Sequence, residues 1–240
     1  MALPYFYLSE LGPAAIGTEL ALDEETSRHI VQVLRMKSGD PLQLTDGRGK
    51  LLDSTISVDH KKKCMVTVSA MHSVERETSG TTIGISLLKN TNRFEWFLEK
   101  ATEIGVGSII PLVCTRTEKH NARIDRLKTI LISAMLQSQR AWLPELREPI
   151  SFATAIPQCN QQQKFIAHCE EEDQRNLSDL INANLQSQVI LIGPEGDFTR
   201  EEIKLALDHK FIPVSLGASR LRSETAGVVA ITLLLSLIHI

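Results

Sequence analysis

The chain has 240 residues, which is enough for one large domain or two modest ones with well-buried cores. Hydrophobic residues make up 42% of it and charged residues 23%, which excludes a disordered or fibrous protein. The formal net charge of -3 excludes an overall basic excess, but the basic side chains concentrate in residues 28–63 and 89–147, where a phosphate-rich partner would meet a favourable local field. The alternative is that these segments are only solvated faces.

Residues 1–73 have the pattern of a small β-rich domain. Turn-forming residues at positions 46–49 separate two apolar stretches, which is typical of a β-hairpin. One helix is predicted over residues 24–36, with Ile30, Val33 and Leu34 on one helical face. Short strands at this spacing predict a small β-barrel, followed by a linker at residues 73–80. The strands predicted here are residues 42–45, 51–58 and 64–68.

Strands and helices alternate from residue 80 onward. Asn92 with Glu95 predicts a capping box for a helix that Gly105 ends. Thr199 with Glu202 predicts another for a helix that reaches Lys210. The alternation predicts an α/β domain over residues 74–240 with a mostly parallel sheet. The other predicted elements are helices over residues 123–138 and from residue 224 onward, and strands over residues 82–88, 109–113, 164–168, 188–192 and 213–216.

Two loops in this second region have the composition of a ligand site. Parallel sheets bind ligands at the carboxyl ends of their strands, which residues 192–199 (IGPEGDFT) and 215–226 (SLGASRLRSETA) both follow. The glycines of the first loop let backbone approach a ligand, and the arginines of the second suit an anionic one. The alternatives are an ordinary tight turn and a structural Arg222–Glu224 ion pair with Ser223 as helix cap. Because we expect the two loops to follow adjacent strands, we predict one shared site.

Other signatures are missing from the sequence. It has no G-x-G-x-x-G after a strand, no phosphate-binding G-K-[ST], no H-E-x-x-H and no G-x-S-x-G. The four cysteines form no C-x-x-C pair, which predicts reduced thiols and no metal site. The start has no secretory signal pattern, and the apolar stretch at residues 226–240 is too short to span a membrane. We therefore expect a soluble, cytoplasmic protein without membrane contact.

At the two loops the sequence resembles a known family. The segments IGPEGDFTREEI and SLGASRLRSETA are similar to the paired signatures of ribosomal RNA small subunit methyltransferase E, of the SPOUT superfamily. The segment HIVQVLR at residues 29–35, with Asp46 and Gly47, resembles that family's N-terminal PUA-like domain. KATEIGV at residues 100–106 and QSQR at residues 137–140 also match family segments in order.

The resemblance implies a fold and an activity. The fold is a PUA-like, RNA-binding β-barrel (residues 1–73) before an α/β SPOUT domain (residues 74–240) with a deep C-terminal trefoil knot. The implied activity is methylation of N3 of a uridine in 16S rRNA of the small ribosomal subunit, with S-adenosylmethionine as cofactor, by a homodimer. The residues implied to bind the cofactor are Ile192, Gly193, Pro194, Glu195, Gly196, Leu216, Gly217, Leu221, Arg222 and Thr225.

The sequence departs from the family at several positions. Asp197 stands in place of a third glycine, and Gln139 in place of the glycine of the QSGR segment. Residues 218 and 219 replace a Pro-Arg pair. Leu136 stands where many members have a glutamate, which excludes a general base there.

The chemistry of uracil suggests roles for two charged residues. N3 of uridine becomes a good nucleophile only as its proton leaves, so the enzyme must orient the base and favour its anion. We hypothesise that Arg222 stabilises negative charge on the uracil carbonyls and that Glu224 orients the base or accepts the proton; both residues having only structural roles is the alternative. The candidate RNA contacts are Arg28, His29, Arg35, Lys37, Arg48, Arg116 and Arg140.

Two other functions remain open from the sequence. One is an RNA-binding or assembly protein that keeps the fold without catalysis, which the intact segments at residues 193–196 and 222–225 disfavour. The other is a SPOUT methyltransferase that acts on transfer RNA, which the HIVQVLR segment disfavours. A lone histidine such as His29 is also more commonly a core residue than a ligand contact.

Overall fold

The computed structural model describes residues 3–12, 15–76, 80–169, 175–182 and 184–236. Two compact units are present: the first comprises residues 1–76 and 135–143, and the second residues 77–134 and 144–240. The predicted linker at residues 73–80 lies partly outside the described residues, because positions 77–79 are not described.

The first unit is built on a curled, mixed sheet of five strands in the order β1-β3-β4-β5-β2. The predicted hairpin is confirmed: β3 and β4 pair antiparallel, and the Asp46 carboxylate accepts hydrogen bonds from the backbone N–H groups of Arg48 and Lys50 in the turn. Register shifts in β4 mark bulges, which increase the local bend of a sheet. The strands are β1 (Tyr5–Tyr7), β2 (Glu19–Ala21), β3 (Pro41–Thr45), β4 (Lys50–Val58) and β5 (Met65–Ser73).

The helix predicted over residues 24–36 is shorter than expected. It is α-helical only over α1 (Glu24–Arg28), and a π-helical turn (His29–Val33) follows. Ile30 is buried, whereas Val33 and Leu34 are 67% and 44% exposed, so the three residues do not pack together as one apolar helical face. The wider turn rotates the residues after Ile30 away from the face that a regular helix would present.

The second unit is a parallel sheet of eight strands in the order β11-β13-β10-β12-β6-β7-β8, with β9 also paired to β7. The predicted alternation of strands and helices is thus confirmed. The strands are β6 (Thr81–Ser86), β7 (Ser108–Val113), β8 (Glu145–Leu146), β9 (Ile150–Ser151), β10 (Gln163–Ala167), β11 (Arg175–Asn176), β12 (Gln188–Ile192) and β13 (Ile212–Ser215). The helices are α2 (Thr91–Ile104), α3 (Ile124–Gln137), α4 (Phe152–Ala155), α5 (Arg200–Asp208) and α6 (Ser223–Ser236).

Helices cover both faces of this sheet. A side chain at Gly84 would point toward Leu191 and Leu112, which pack in a core with α4 and α5. The next residue, Ile85, points the other way, toward α6 at Gly227. Neighbouring strand residues therefore serve opposite layers, and this explains why the central strands β6, β7 and β12 are buried along almost their whole length.

One predicted helix start was displaced. The N-cap of α2 is Asn90, whose side chain accepts from the backbone N–H of Asn92, so the capping box predicted for Asn92 and Glu95 was wrong. Glu95 instead binds Arg126 of α3, with 2.8 Å between its Oε2 and Nη2. Gly105 ends the helix in the left-handed conformation, as predicted.

Candidate active site

A cavity of about 850 Å³ lies at the carboxyl edge of the parallel sheet. Ala167 at the end of β10 pairs in register with Ile192 of β12 and with Val214 of β13, so the loops after these three strands emerge side by side. β10 therefore separates β12 from β13, and the expectation that the two motif loops follow adjacent strands was wrong. A third loop, at residues 168 and 169, completes the wall between them.

The loop after β12 is held in shape from within. A Cβ atom at Gly193 would lie 3.2 Å from the backbone nitrogen and the ring of Phe198, so a larger residue here would push Phe198 aside by a few tenths of an ångström. Thr199 and Glu202 form the predicted capping box at the start of α5. Residues 193–199 thus form a turn in which Gly193 packs against the buried side chain of Phe198.

Two departures from the family have a common conformation. Asp197 and Gln139, which both stand where the family has glycine, have φ angles of 63° and 55°. This left-handed region favours glycine, although aspartate tolerates it when its side chain bonds locally. The Asp197 carboxylate does so: it accepts from the backbone N–H of Phe198 at 2.8 Å and from that of Cys169 at 2.7 Å. The second bond ties the β10 loop to the β12 loop.

Another contact to the β12 loop comes from the loop after β7. Nη1 of Arg116 donates to the carbonyl oxygen of Gly196 at 2.6 Å and to that of Phe198 at 3.3 Å. The Glu202 carboxylate accepts from the backbone N–H and the hydroxyl of Thr115. Arg116, which the sequence suggests as an RNA contact, therefore uses part of its guanidinium to hold backbone next to the cavity.

The loop after β13 forms the other wall. Gly217 has a φ angle of 123°, which L-residues with side chains rarely adopt, and its N–H donates to the Ser215 hydroxyl. Leu216 and Leu221 are half-buried and add apolar surface to the cavity. Arg222 is exposed and lines the cavity immediately before α6.

Glu224 is placed differently from Arg222. It lies in the first turn of α6, is only 7% exposed, and does not line the cavity. Its Oε1 lies 3.6 Å from Nε of Arg93 on α2, and its Oε2 is buried without a hydrogen-bond partner in the described part of the chain. The Arg222–Glu224 ion pair considered from the sequence is therefore replaced by a pair between Glu224 and Arg93.

Most of the residues implied to bind the cofactor meet at the cavity. Gly196, in the loop after β12, and Thr225, in the first turn of α6, do not line it. Sequence reasoning missed His168 and Cys169, since only the strand order shows that β10 ends between the two motif loops. Burial, and then the Asp197 carboxylate, raise the pKa of the Cys169 thiol, which favours its protonated form. The implied residues that line the cavity are Ile192, Gly193, Pro194, Glu195, Leu216, Gly217, Leu221 and Arg222.

The candidate RNA contacts lie mostly in the first unit. Arg28, His29, Arg35 and Lys37 are exposed on the segment that contains α1 and its π-helical turn. His29 is not a core residue, because its ring is at the surface and meets Phe6 edge-on at 6.0 Å between centroids. The exposed residue Arg48 and the half-buried residue Arg140 belong to the same unit, whereas Arg116 belongs to the second.

Three further observations concern the cysteine thiols, metal binding and the length of the helices. Cys64, Cys114, Cys159 and Cys169 are free thiols, and burial raises the pKa of Cys114 to about 12. Among the residues with described positions, no group of three or more metal-ligating side chains comes together. No helix in the described ranges has both the length and the apolarity needed to cross a membrane.

Comparisons with known proteins connect this geometry to a family. Residues 75–235 match the RNA methyltransferase domain, and residues 22–69 match the RNA methyltransferase PUA domain. Ribosomal RNA small subunit methyltransferase E of Synechocystis is 29% identical over 223 residues, which cover 90% of this chain and 72% of that protein.

Solved structures agree over nearly the whole chain. A probable rRNA-methyltransferase from Porphyromonas gingivalis has a TM-score of 0.90 and 38% identity, with 99% of both chains covered. A ribosomal RNA small subunit methyltransferase E from Neisseria gonorrhoeae, solved with S-adenosylmethionine bound, has a TM-score of 0.88 and 29% identity, with 98% of both chains covered. The chain therefore belongs to the ribosomal RNA small subunit methyltransferase E family of RNA methyltransferases.

Proposed function

We propose that this protein methylates N3 of a uridine in 16S ribosomal RNA, with S-adenosylmethionine as the methyl donor. The observation that carries the proposal is the cavity formed by the loops after β10, β12 and β13, because both family signatures contribute to its wall. Relatives that are named for small-subunit rRNA methylation match most of the chain, and this supports the assignment of the substrate.

The residues present fit the donor. A cavity of about 850 Å³ is within the usual range for cofactor sites, and its wall combines apolar side chains with the glycines Gly193 and Gly217. The tight turn at Gly193 and the positive φ of Gly217 bring backbone to the cavity surface, where it suits hydrogen bonding to an adenine and a ribose. Ile192, Leu216 and Leu221 supply apolar contacts. When bound there, S-adenosylmethionine supplies an activated methyl group.

Arg222 and Glu224 act on the base in this proposal. Arg222 lines the cavity, so its guanidinium is available to stabilise negative charge on the uracil carbonyls as N3 loses its proton. Glu224 orients the base or accepts that proton in this proposal, which requires its carboxylate, buried beside Arg93 and outside the cavity lining, to turn toward the bound base. N3 is inaccessible inside a paired stem, so the target uridine is unpaired or flipped out.

We infer that the first unit binds the RNA around the target. The exposed basic residues proposed as contacts, Arg28, His29, Arg35, Lys37 and Arg48, lie on the segment around α1 and on the turn after β3, where they can reach phosphates. The proposed contacts are Arg28, His29, Arg35, Lys37, Arg48 and Arg140, with Arg116 from the second unit.

The family fold also implies a homodimer with a C-terminal trefoil knot, and we include both in the proposal. Support for a second copy comes from α6, where Val228, Val229 and Leu233 stay half-exposed although the opposite face of the helix is buried. A partner protomer that covers these side chains would bury apolar surface. We place the protein in the cytoplasm, where 16S rRNA is found.

Mass spectrometry of 16S rRNA from cells without this protein tests the proposal directly. One uridine is expected to lose its N3 methyl group and to regain it on complementation. Complementation with Arg222→Ala or Glu224→Gln is expected to leave the uridine unmethylated, while calorimetry shows that Glu224→Gln keeps S-adenosylmethionine affinity within about threefold of the unaltered protein. An unchanged methylation pattern in the deletion strain would contradict the function, and full turnover by both variants would contradict the two assigned roles.

A further inference from the structure

A second cavity, of about 400 Å³, lies in the second unit outside the candidate active site. We call it the basic cavity. It lies between the segment after β6 and the segment that joins β7 to α3. Its floor is apolar, because the buried side chains of Leu87, Leu88, Phe94 and Leu127 line it. Its remaining lining residues are Thr91, Asn92, Glu95, Lys119, Asn121, Ala122, Arg123 and Arg126.

The charges around the basic cavity favour an anion. Arg126 is committed to Glu95, and this hydrogen bond holds the pKa of the Glu95 carboxyl below its usual value, with weaker help from Arg123 and Lys119. Among the residues that the structure describes, the hydrogen-bond partner of Lys119 is a neutral group, the hydroxyl of Thr91. Arg123 forms no ion pair with any of the residues that the structure describes. The lining residues Lys119, Arg123 and Arg126 carry three positive charges against the one negative charge of Glu95, so the basic cavity keeps a net positive charge beside its apolar floor.

The wall of the basic cavity is already formed. The Thr117 hydroxyl oxygen accepts from the backbone N–H of Cys114 at 2.8 Å and shares a hydrogen bond of 2.8 Å with Ser86 at the end of β6. Both hydroxyl-bearing side chains are buried. This anchors the start of the segment that carries Lys119 and Arg123, so binding of a ligand does not require that part of the wall to become ordered.

The same segment also serves the candidate active site. Its residues Thr115 and Arg116 hold Glu202 and Gly196, as described above. β6 is the neighbour of β12 in the sheet, so the two cavities follow one another along its carboxyl edge. A ligand that extends along this edge from the candidate active site would reach the basic cavity next.

We propose that the basic cavity binds one unpaired nucleotide of the RNA substrate, next to the uridine that is methylated. Lys119 and Arg123 contact its phosphate, and its base rests on the apolar floor, where the amides of Asn92 and Asn121 offer donors and acceptors to the base edge. The apolar floor suits a flat base, and the net positive charge beside it suits a phosphate. A nucleotide therefore fits the basic cavity better than a small inorganic anion does. The inference rests on the proposed function for the identity of the substrate.

Fluorescence anisotropy with a ten-nucleotide oligouridylate tests this proposal. The double variant Lys119→Ala with Arg123→Ala is expected to bind about tenfold more weakly at 0.1 M salt. The slope of log K against log salt is expected to become about 0.7 shallower for each phosphate that the variant no longer neutralises. The matched control is Lys128→Ala, which removes an exposed charge from α3 outside the cavity and is expected to change affinity less than about twofold.

A steric variant tests the role of the cavity volume independently of the role of its charge. Ala122→Trp fills the basic cavity without altering net charge, and we expect it to weaken oligouridylate binding about as much as the double variant does. Thermal unfolding and calorimetry with S-adenosylmethionine show whether each variant keeps its fold and its first cavity. Affinities equal to that of Lys128→Ala in both cavity variants would overturn the inference.

Methyl transfer to 16S rRNA is measured in parallel to separate the two proposals. If the unaltered protein transfers no methyl group to this RNA, the proposed function fails. If it does transfer the group while both cavity variants bind and methylate RNA normally, only the present inference fails.

Discussion

Asp197 offers a sharp test of how the candidate active site is held together. Its backbone lies in the left-handed region, which costs an ordinary L-residue about 1 kcal/mol relative to glycine. Its half-exposed carboxylate offsets this cost with bonds to the N–H groups of Cys169 and Phe198, at roughly 1 kcal/mol each. Asp197→Ala removes both bonds and keeps the backbone cost, so we expect the free energy of unfolding to fall by about 2–3 kcal/mol.

Asp197→Gly is expected to be less damaging than Asp197→Ala. It removes the same two bonds but also the backbone cost, so the free energy of unfolding should fall by only about 1–2 kcal/mol. Lys210 provides a control for the backbone contribution, because its φ is 67° just after α5 and its side chain makes no hydrogen bond or ion pair with the residues that the structure describes. Lys210→Gly should therefore stabilise the protein by about 1 kcal/mol.

The assays are urea unfolding at 25 °C and calorimetry with S-adenosylmethionine. Because Asp197 joins two loops of the cavity wall, both Asp197 variants should also bind the donor about tenfold more weakly, which corresponds to about 1.4 kcal/mol. The reasoning is refuted if the Asp197→Ala variant is as stable as the Asp197→Gly variant while Lys210→Gly is stabilised as expected. In that case the carboxylate bonds would not be what makes the left-handed backbone tolerable.

Three further predictions concern single contacts. Gly227→Ala puts a Cβ atom 2.6 Å from the buried Phe97 ring, so an overpacking cost of about 1–3 kcal/mol should exceed the helix-propensity gain of about 1 kcal/mol. Urea unfolding should show a net loss of stability that becomes a gain in a Phe97→Leu background. The hydrogen bond to His72 holds the pKa of Asp53 below its ordinary 3.8, so its stabilisation is present above about pH 4 and is lost as pH falls through the lowered pKa. Lowering the pH should therefore reduce the free energy of unfolding of Asp53→Asn less than that of the unaltered protein. Equal losses in the two proteins would contradict the stabilising role of the Asp53–His72 hydrogen bond. Arg116→Ala removes the donor to the loop after β12 and should weaken S-adenosylmethionine binding about tenfold by calorimetry, whereas Lys128→Ala should leave it unchanged.

Local patterns were read correctly where the partners are close in the chain. The turn at residues 46–49 and the Thr199–Glu202 capping box involve residues within four positions of one another, and both are present. The capping box predicted at Asn92 is absent although the spacing of its residues fits the motif. Asn90 caps the helix instead, and the Glu95 carboxylate accepts a hydrogen bond from Arg126 of another helix. A pattern of side chains predicts a local bond only when no tertiary partner competes for the same group.

The sequence by itself determined the α/β alternation, the two glycine-containing loops and the family to which they belong, since these depend on residue order and short-range spacing. Only the tertiary structure decided that β10 lies between β12 and β13, that Glu224 pairs with Arg93, and that Lys119 and Arg123 face an apolar floor. Parallel strands are joined by long crossovers, so their order in the sheet depends on how whole layers pack, which no short segment of the chain encodes.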